Sequence, residues 1–377
     1  MTALPPAAAP DRPVRVAVAG LGWAGREIWL PRLAAHPGFE VTAVVDPQPA
    51  VRDRARATHH VPSAYADVDD LPAGAVDLVV VAVPNHLHAN VAVRLLRRGV
   101  PVFLEKPVCL TSAEATLLAD AERDGGAVLL AGSAARYRAD IRALTGVAGE
   151  LGPIRHVDVA WVRARGVPDA GGWFTRRDLS GGGALVDLGW HLLDTVLPML
   201  GPTRVTHAIG SVSDDFVNDS AAHAAWRSDA GAGGRAPGDV EDTARGFLLT
   251  AEGASVALHA CWASHESLDR TTVTVHGAAG SATLRCTFGF SPNREPTPVL
   301  TRTRDGETVR LSLPEEPIGA EYDRQLDALP GLLADPTGRG AAVAEAHRTI
   351  DIIERIYQSA RPTAPERQHA LAGHHDR

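Results

Sequence analysis

Lys106 is the only lysine among the 37 Lys and Arg residues of this 377-residue chain. Arginine solvates a surface as well as lysine does, but it does not replace a compact, rotatable ammonium, because the guanidinium is planar, bulky and permanently charged. A lone lysine that survives in such a background points to chemistry rather than to solvation. Its setting agrees: the apolar run Val102-Phe103-Leu104 ends abruptly in Glu105-Lys106-Pro107. A second group of reactive side chains lies in Gly181-Gly182-Gly183-Ala184-Leu185-Val186-Asp187-Leu188-Gly189-Trp190-His191-Leu192-Leu193-Asp194, a glycine run leading into a predicted helix. Asp187, His191 and Asp194 stand at i, i+4 and i+7 and share one helix face. Polar groups on an otherwise apolar helix need partners or a wet cleft. A lone helical histidine is more often a satisfied core residue, and the two flanking carboxylates weigh against that reading here. A metal is not expected, because no second cluster of His or Cys at ligand spacing completes a site.

The elements that position these groups are legible upstream. Val14–Ala19 reads as a strand, broken only by Arg15, and runs into Gly20-Leu21-Gly22-Trp23-Ala24-Gly25 and a helical stretch through Ile28, Leu30 and Leu33. Glycines at this spacing between strand and helix allow a tight turn and let backbone N–H groups approach a pyrophosphate. A second strand, Val41–Val45, ends in Asp46, placed to accept both ribose hydroxyls of a dinucleotide and to repel a 2′-phosphate. Pro47-Gln48-Pro49 supplies no basic residue next to it, so NAD is favoured over NADP, although Arg52 and Arg54 follow closely. Apolar runs at Leu78–Val83, Val102–Leu104 and Val128–Ala131 alternate with helical stretches Ala89–Arg98 and Ser112–Arg123, the pattern of a parallel sheet covered on both faces. Gly20, Asp46, Pro84, Asn85, Glu105 and Lys106 all fall at carboxyl ends of these strands, where such sheets bind ligands.

After about Arg136 the alternation stops. Arg155–Arg165, Gly246–Ser264 and Thr271–Phe288 read as strands without intervening helices, hence a second, α+β domain with a large, mostly antiparallel open sheet. Its outer face must be covered, and Phe247, Leu249, Val256 and Leu258 are the candidates; a homodimer or homotetramer is expected. The expected organisation is a disordered arm over 1–13, a Rossmann domain over 14–135 and a substrate and oligomerisation domain over 136–335. A helix over 336–360 then packs back on the Rossmann domain, and 361–377 form a disordered tail. Asp214–Gly238, rich in Ala, Gly, Ser and Asp, reads as a flexible insertion.

Composition bounds the partners. With 45% hydrophobic and 22% charged residues the chain is an ordinary globular protein, and its net charge of −8 argues against nucleic acid while remaining compatible with a cationic substrate. No stretch has the length and apolarity of a transmembrane helix, and Met1–Pro13 lacks the features of a signal peptide. Cys109, Cys261 and Cys286 are few and far apart, which fits a reducing, cytoplasmic setting without disulfides.

Taken together, these motifs resemble the Gfo/Idh/MocA family of NAD(P)-dependent oxidoreductases from about Val14 to Ala360. Gly20–Gly25 resembles its nucleotide loop, Pro84-Asn85-His86-Leu87-His88 its Pro-Asn-x-x-His segment beside the nicotinamide ribose, and Glu105-Lys106-Pro107 its Glu-Lys-Pro motif. Gly181–Asp194 resembles its Gly-Gly-Gly-x-x-x-Asp-x-x-x-His-x-x-Asp helix, Val240–Ala244 the start of a second-domain strand and Ile350–Ala360 the closing helix. The resemblance implies that Gly20, Gly22, Trp23, Ala24, Gly25, Asp46, Pro84, Asn85, His88, Glu105 and Lys106 hold the dinucleotide. It implies that Lys106 contacts the reacting oxygen, that His191 is the general base, and that Asp187 orients the substrate or Lys106. Asp194 is equally a structural partner and stays outside the catalytic set. Trp173 would wall a sugar ring or pack in the core. A cis Lys106–Pro107 peptide is also implied. The expected activity is NAD-dependent oxidation of a secondary hydroxyl of a sugar, cyclitol or glycoside to a ketone, in antibiotic biosynthesis and with an aminoglycoside intermediate as one candidate. The alternatives are an NADP-dependent 3-ketoreductase of a nucleotide sugar and a non-catalytic dinucleotide-sensing regulator; the latter needs no proton-transfer group.

Overall fold

A computed structural model of the protein describes residues 12–168, 172–224 and 237–360. The first sheet is parallel, with strand order β3-β2-β1-β4-β5-β6. Its strands are β1 (Val14–Ala19), β2 (Phe39–Val45), β3 (Ser63–Tyr65), β4 (Leu78–Val81), β5 (Val102–Leu104) and β6 (Leu129–Ala131). Side chains alternate across a strand, so β1 feeds two cores. Val16 and Val18 meet Ile28, Trp29 and Leu33 on one face, whereas Ala17 and Ala19 meet Leu95, Leu118 and a core continuous with the second domain on the other. The reversal of strand order at β1 and β4 opens the crevice at their carboxyl ends where ligands of such sheets bind.

The second sheet has order β14-β13-β12-β11-β7-β10-β9-β8. It comprises β7 (Ile154–Val162), β8 (Val205–Ser213), β9 (Thr243–Thr250), β10 (Ser255–Cys261), β11 (Arg270–Gly277), β12 (Gly280–Cys286), β13 (Val299–Arg304) and β14 (Glu307–Leu311). Only the central pair β7 and β10 is parallel. The expected outer face needs correction. Val256 and Leu258 are 0% and 3% exposed and lie in the core, whereas Phe247 and Leu249 are 41% and 39% exposed. Register is the reason: Val256 pairs with the buried Leu248, while Phe247 stands opposite Ala257 and Ile209. The outer face therefore carries Ile209, Phe247 and Leu249 beside a shallow trough of about 330 Å³ lined by residues including Ala160, Gly246 and Ala257.

Packing also redraws the expected domain limits. Leu326 and Leu329, on the helix Ala320–Ala334, sit in the cluster with Val16 and Val18, so this helix covers the first sheet, not the second. The helix Ala341–Ala360 packs on β8 as well as on β6 and the helix Ser112–Gly125. It joins the two domains rather than returning to the first alone. The described part of the 214–238 insertion is fastened: Asp242 Oδ2 accepts from the N–H groups of Phe216 (2.5 Å) and Val217 (2.9 Å), and Asn218 exchanges two hydrogen bonds with Gly238. Residues 225–236, the arm up to residue 11 and the tail 361–377 lie outside the described residues. Among the described residues no helix is long and apolar enough to cross a membrane.

Candidate active site

The glycine loop has the shape its sequence requires. Gly20 has φ +88°, a left-handed conformation that favours glycine, and an added Cβ there would meet the Ala82 backbone at 2.6 Å. A Cβ on Gly25 would overlap the Gly20 carbonyl, whereas one on Gly22 would meet nothing, so that position opens onto the space a pyrophosphate needs. Trp23 packs edge-on against Phe290 at 5.6 Å, and Ala24 begins a wide π-type turn, Ala24–Trp29, before the α-helical segment. Asp46 is largely buried and its two oxygens accept from the Leu21 and Gln48 N–H groups, each at 2.9 Å. Carboxylate oxygens each carry two lone pairs, so both retain capacity for ribose hydroxyls. Arg52 is tethered to the same corner through the Asp46 carbonyl at 2.5 Å. These residues fit a dinucleotide.

At the end of β5, Glu105 accepts from Trp29 Nε1 at 2.6 Å and from the Lys106 N–H at 2.8 Å, and burial pushes its carboxyl pKa up. The Lys106–Pro107 peptide is cis. Lys106 Nζ meets Asp187 Oδ1 at 2.5 Å, and Trp262 Nε1 donates to Asp187 Oδ2 at 2.8 Å. A buried ion pair is tolerable only when its remaining lone pairs are also satisfied, and Trp262 does this. Lys106 Nζ also lies 6.0 Å from the centre of the Phe174 ring.

Asp187 falls in a second wide turn, Leu185–Gly189, and His191 on the helix Trp190–Val196 that continues it. The His191 ring lies 5.7 Å from that of Trp161. Burial, reinforced by the charge of Lys106 against the counter-pull of Asp187, drives the His191 pKa down to about 3. The imidazole is therefore unprotonated near neutrality beside the ammonium–carboxylate pair. The same burial and charge that keep it neutral make it a weak base until a substrate proton is drawn toward it. Asp194 is spent elsewhere: it pairs with Arg136 at 2.6 Å and accepts from Ser133 Oγ at 3.2 Å. Burial, opposed by Arg136, raises its pKa to about 6. The shared helix face thus divides: Asp187 meets Lys106, and Asp194 ties to Arg136.

Two other sequence candidates, His88 and Asn85, are tied to the protein itself. His88 is 1% exposed, and its ring nitrogens face the carbonyls of Pro107 (2.6 Å) and Val83 (2.8 Å), so the side chain bridges two loops at the carboxyl ends of the strands. Asn85, at the turn that follows Pro84, donates to the Ser180 carbonyl at 3.0 Å and so links the first domain to the glycine run of the second. Trp173 is half-buried with its ring 4.5 Å from that of Phe174, which places it beside the residue that faces Lys106. The sequence does not single out Trp29 or Trp262, and it places Glu241 only at the start of a second-domain strand. A buried indole needs an acceptor, which marks the tryptophans as hydrogen-bond donors, but nothing local names their partners. Among the described residues no group of His, Cys, Asp or Glu is arranged to hold a metal ion.

Comparison with known proteins agrees with this geometry. Residues 14–133 match the oxidoreductase family with an NAD-binding Rossmann fold, and residues 147–283 match the GFO/IDH/MocA C-terminal domain. The chain is 59% identical over 347 residues, 92% of its length and 96% of the relative's, to the "Putative UDP-kanosamine synthase oxidoreductase subunit" of Amycolatopsis mediterranei (strain S699). Its fold superposes on GenD2 from gentamicin A biosynthesis in complex with NAD, with a TM-score of 0.73 and 25% identity over 95% of this chain and 97% of that one. It also superposes on KijD10, a 3-ketoreductase from Actinomadura kijaniata in complex with NADP and TDP-benzene, with a TM-score of 0.72 and 19% identity over 92% and 98% of the two chains. A glycine loop that fits a dinucleotide, a Glu-Lys-Pro turn meeting an Asp-x-x-x-His helix, and matches to both domains converge: the chain belongs to the GFO/IDH/MocA family of oxidoreductases.

Proposed function

We propose that the protein oxidises a secondary hydroxyl of a sugar, with a UDP-linked glucose as the first candidate, to a ketone at the expense of NAD. The observation that carries this is the Lys106–Asp187 pair with a neutral His191 beside it, at the edge of the sheet that bears the glycine loop. Lys106 Nζ donates to the substrate oxygen and favours alkoxide character. His191 accepts the hydroxyl proton on an unprotonated ring nitrogen. Asp187, clamped by Trp262, keeps the ammonium aimed. Bound NAD supplies the hydride acceptor; Gly20, Gly22, Gly25 and Asp46 hold it, and Glu105 fixes the turn that presents Lys106. The carbon loses hydride, the oxygen loses a proton, and a C=O bond forms. The UDP-linked candidate follows the name of the relative that is 59% identical, and so does a role in antibiotic biosynthesis. Incubation with NAD and a panel of UDP-glucose, methyl glucoside, inositol and an aminoglycoside, read as NADH formation and as ketone by mass spectrometry, tests it. Turnover of the glucoside or cyclitol but not of UDP-glucose would discard the substrate; inertness of all four would discard the activity.

NAD is expected to bind more tightly than NADP, because the Asp46 carboxylate repels a 2′-phosphate. Titration of both against intrinsic tryptophan fluorescence checks this. The specific observation that favours the other coenzyme, and with it a 3-ketoreductase, is Arg52 anchored at the Asp46 carbonyl. Tighter NADP binding would establish that reading instead.

In this reading the protein works in the cytoplasm as a homodimer, or a pair of dimers, joined through the outer face of the second sheet. Ile209, Phe247 and Leu249 form an exposed apolar patch of the kind that seeks a partner. Light scattering at micromolar concentration should find at least a dimer, and Phe247→Glu should shift it toward monomer. A monomeric wild type would overturn the assignment.

A further inference from the structure

We propose that Glu241 is a positioning residue for the reaction: it anchors the start of the helical segment carrying Asp187 and His191, and thereby the meeting of Asp187 with Lys106. Glu241 lies just before β9 and is only 2% exposed. Its Oε1 accepts from the N–H groups of Gly183 and Leu185, each at 3.0 Å, and from the Tyr357 hydroxyl at 2.7 Å. Its backbone carbonyl accepts from the Ala184 N–H at 3.0 Å. Three consecutive N–H groups, of the kind that a helix start leaves without intrahelical partners, thus end on one residue. Negative charge is favoured at that end of a helix by the peptide dipoles. Arg177, at 3.2 Å from Oε2, balances the charge from the solvent side. The fit is close: a Cβ on Gly183 would overlap the Glu241 carbonyl, and one on Gly182 the Tyr357 hydroxyl. Gly183 thus lets the Glu241 backbone approach, and Gly182 makes room for the Tyr357 hydroxyl that bonds the carboxylate.

The adjacent residue completes the argument. Asp242 accepts the Trp262 N–H on its carbonyl at 2.7 Å, and Trp262 is the indole that clamps Asp187 Oδ2. Asp187 is thus set twice from the same dipeptide. Its backbone is set through Gly183, whose carbonyl accepts the Asp187 N–H at 2.9 Å, and its side chain through Trp262. Glu241 touches no reacting atom; it acts through the helical segment. The inference rests on the reading of Lys106 and Asp187 as the reacting pair, but it is testable without any substrate.

The chain's single lysine makes the test clean. Protein grown with lysine labelled with carbon-13 at the ε position gives one side-chain NMR signal, that of Lys106. Asp187→Asn should move this signal and define the position of a lysine without its partner. Glu241→Gln, which keeps the shape but removes the charge, should displace it in the same direction. Tyr357→Phe, which removes one of the bonds to Oε1, should do so to a smaller extent. With UDP-glucose, kcat of Glu241→Gln should fall roughly 10- to 100-fold with little change in KM, the scale that a misplacement of about an ångström costs. A merely structural role would lower the melting temperature and leave the Lys106 signal where it was. Folded Glu241→Gln with a wild-type signal overturns the proposal. If that variant does not fold, a wild-type signal in Tyr357→Phe overturns it. A wild type inert toward UDP-glucose would refute the substrate while leaving the NMR outcome to decide this inference.

Discussion

Lys106→Arg is expected to lower turnover roughly 100- to 1,000-fold, the effect of losing about 3–4 kcal/mol of transition-state stabilisation, while coenzyme affinity is largely retained. The charge survives this substitution; the geometry does not. Nζ sits 2.5 Å from Asp187 Oδ1, whose partner oxygen is already held by Trp262, so the site is built around a compact ammonium. A guanidinium spreads its charge over a rigid fork and would meet Asp187 side-on, moving a donor away from the substrate oxygen. Because the glycine loop and Asp46 lie on other strands, NAD binding measured by fluorescence should report an intact first domain. Near-normal turnover in the arginine variant would mean that the only lysine in the chain is an accident of composition.

The second large effect concerns His191. An exposed histidine has a pKa of about 6.5, so a base of that kind loses activity as pH falls through neutrality. Here burial and Lys106 hold the folded-state value at about 3. The sign follows directly: between pH 3 and about 6.5 the unfolded chain binds the proton that the folded one refuses, so this group makes stability rise with pH across that window. Activity behaves differently, because the base is already unprotonated throughout. The kcat/KM profile for oxidation should therefore show no acid limb near 6.5 from this residue. His191→Ala should cost roughly 100-fold at neutral pH, the low end for general-base catalysis because a base held near 3 is weak, and the loss should shrink as pH rises and hydroxide partly replaces it. The neighbouring group that titrates at about 6 is Asp194, and Asp194→Asn is the control that identifies any limb found there. A wild-type limb at 6.5 that disappears in His191→Ala but persists in Asp194→Asn would sink the prediction.

Much of the architecture was legible in the chain because the signals are local. β1 and β5 coincide with the apolar runs Val14–Ala19 and Val102–Leu104, and the helix Ser112–Gly125 begins where its polar start does. The glycine spacing of Gly20–Gly25 specifies a turn whose steric demand can be read without knowing what surrounds it. The second sheet was legible as strands but not as faces. The identity of a face depends on register, and register placed Val256 and Leu258 inside while leaving Phe247 and Leu249 out.

The site divides in the same way. Residue type and spacing single out Lys106, a lysine with no other reason to persist, and the helix face shared by Asp187, His191 and Asp194; the family resemblance implies which of these react. Only the tertiary structure joins Lys106 to Asp187 across 81 residues, sets Trp262 on Asp187 across 75, and places Glu241 at the glycine run across 58. It also turns His88 inward to two carbonyls and commits Asp194 to Arg136. Periodicity encodes what element a segment forms, because that depends on neighbours a few residues away. Which polar atom meets which is decided by packing between distant segments, where each buried donor and acceptor must find a partner. No local pattern carries that information.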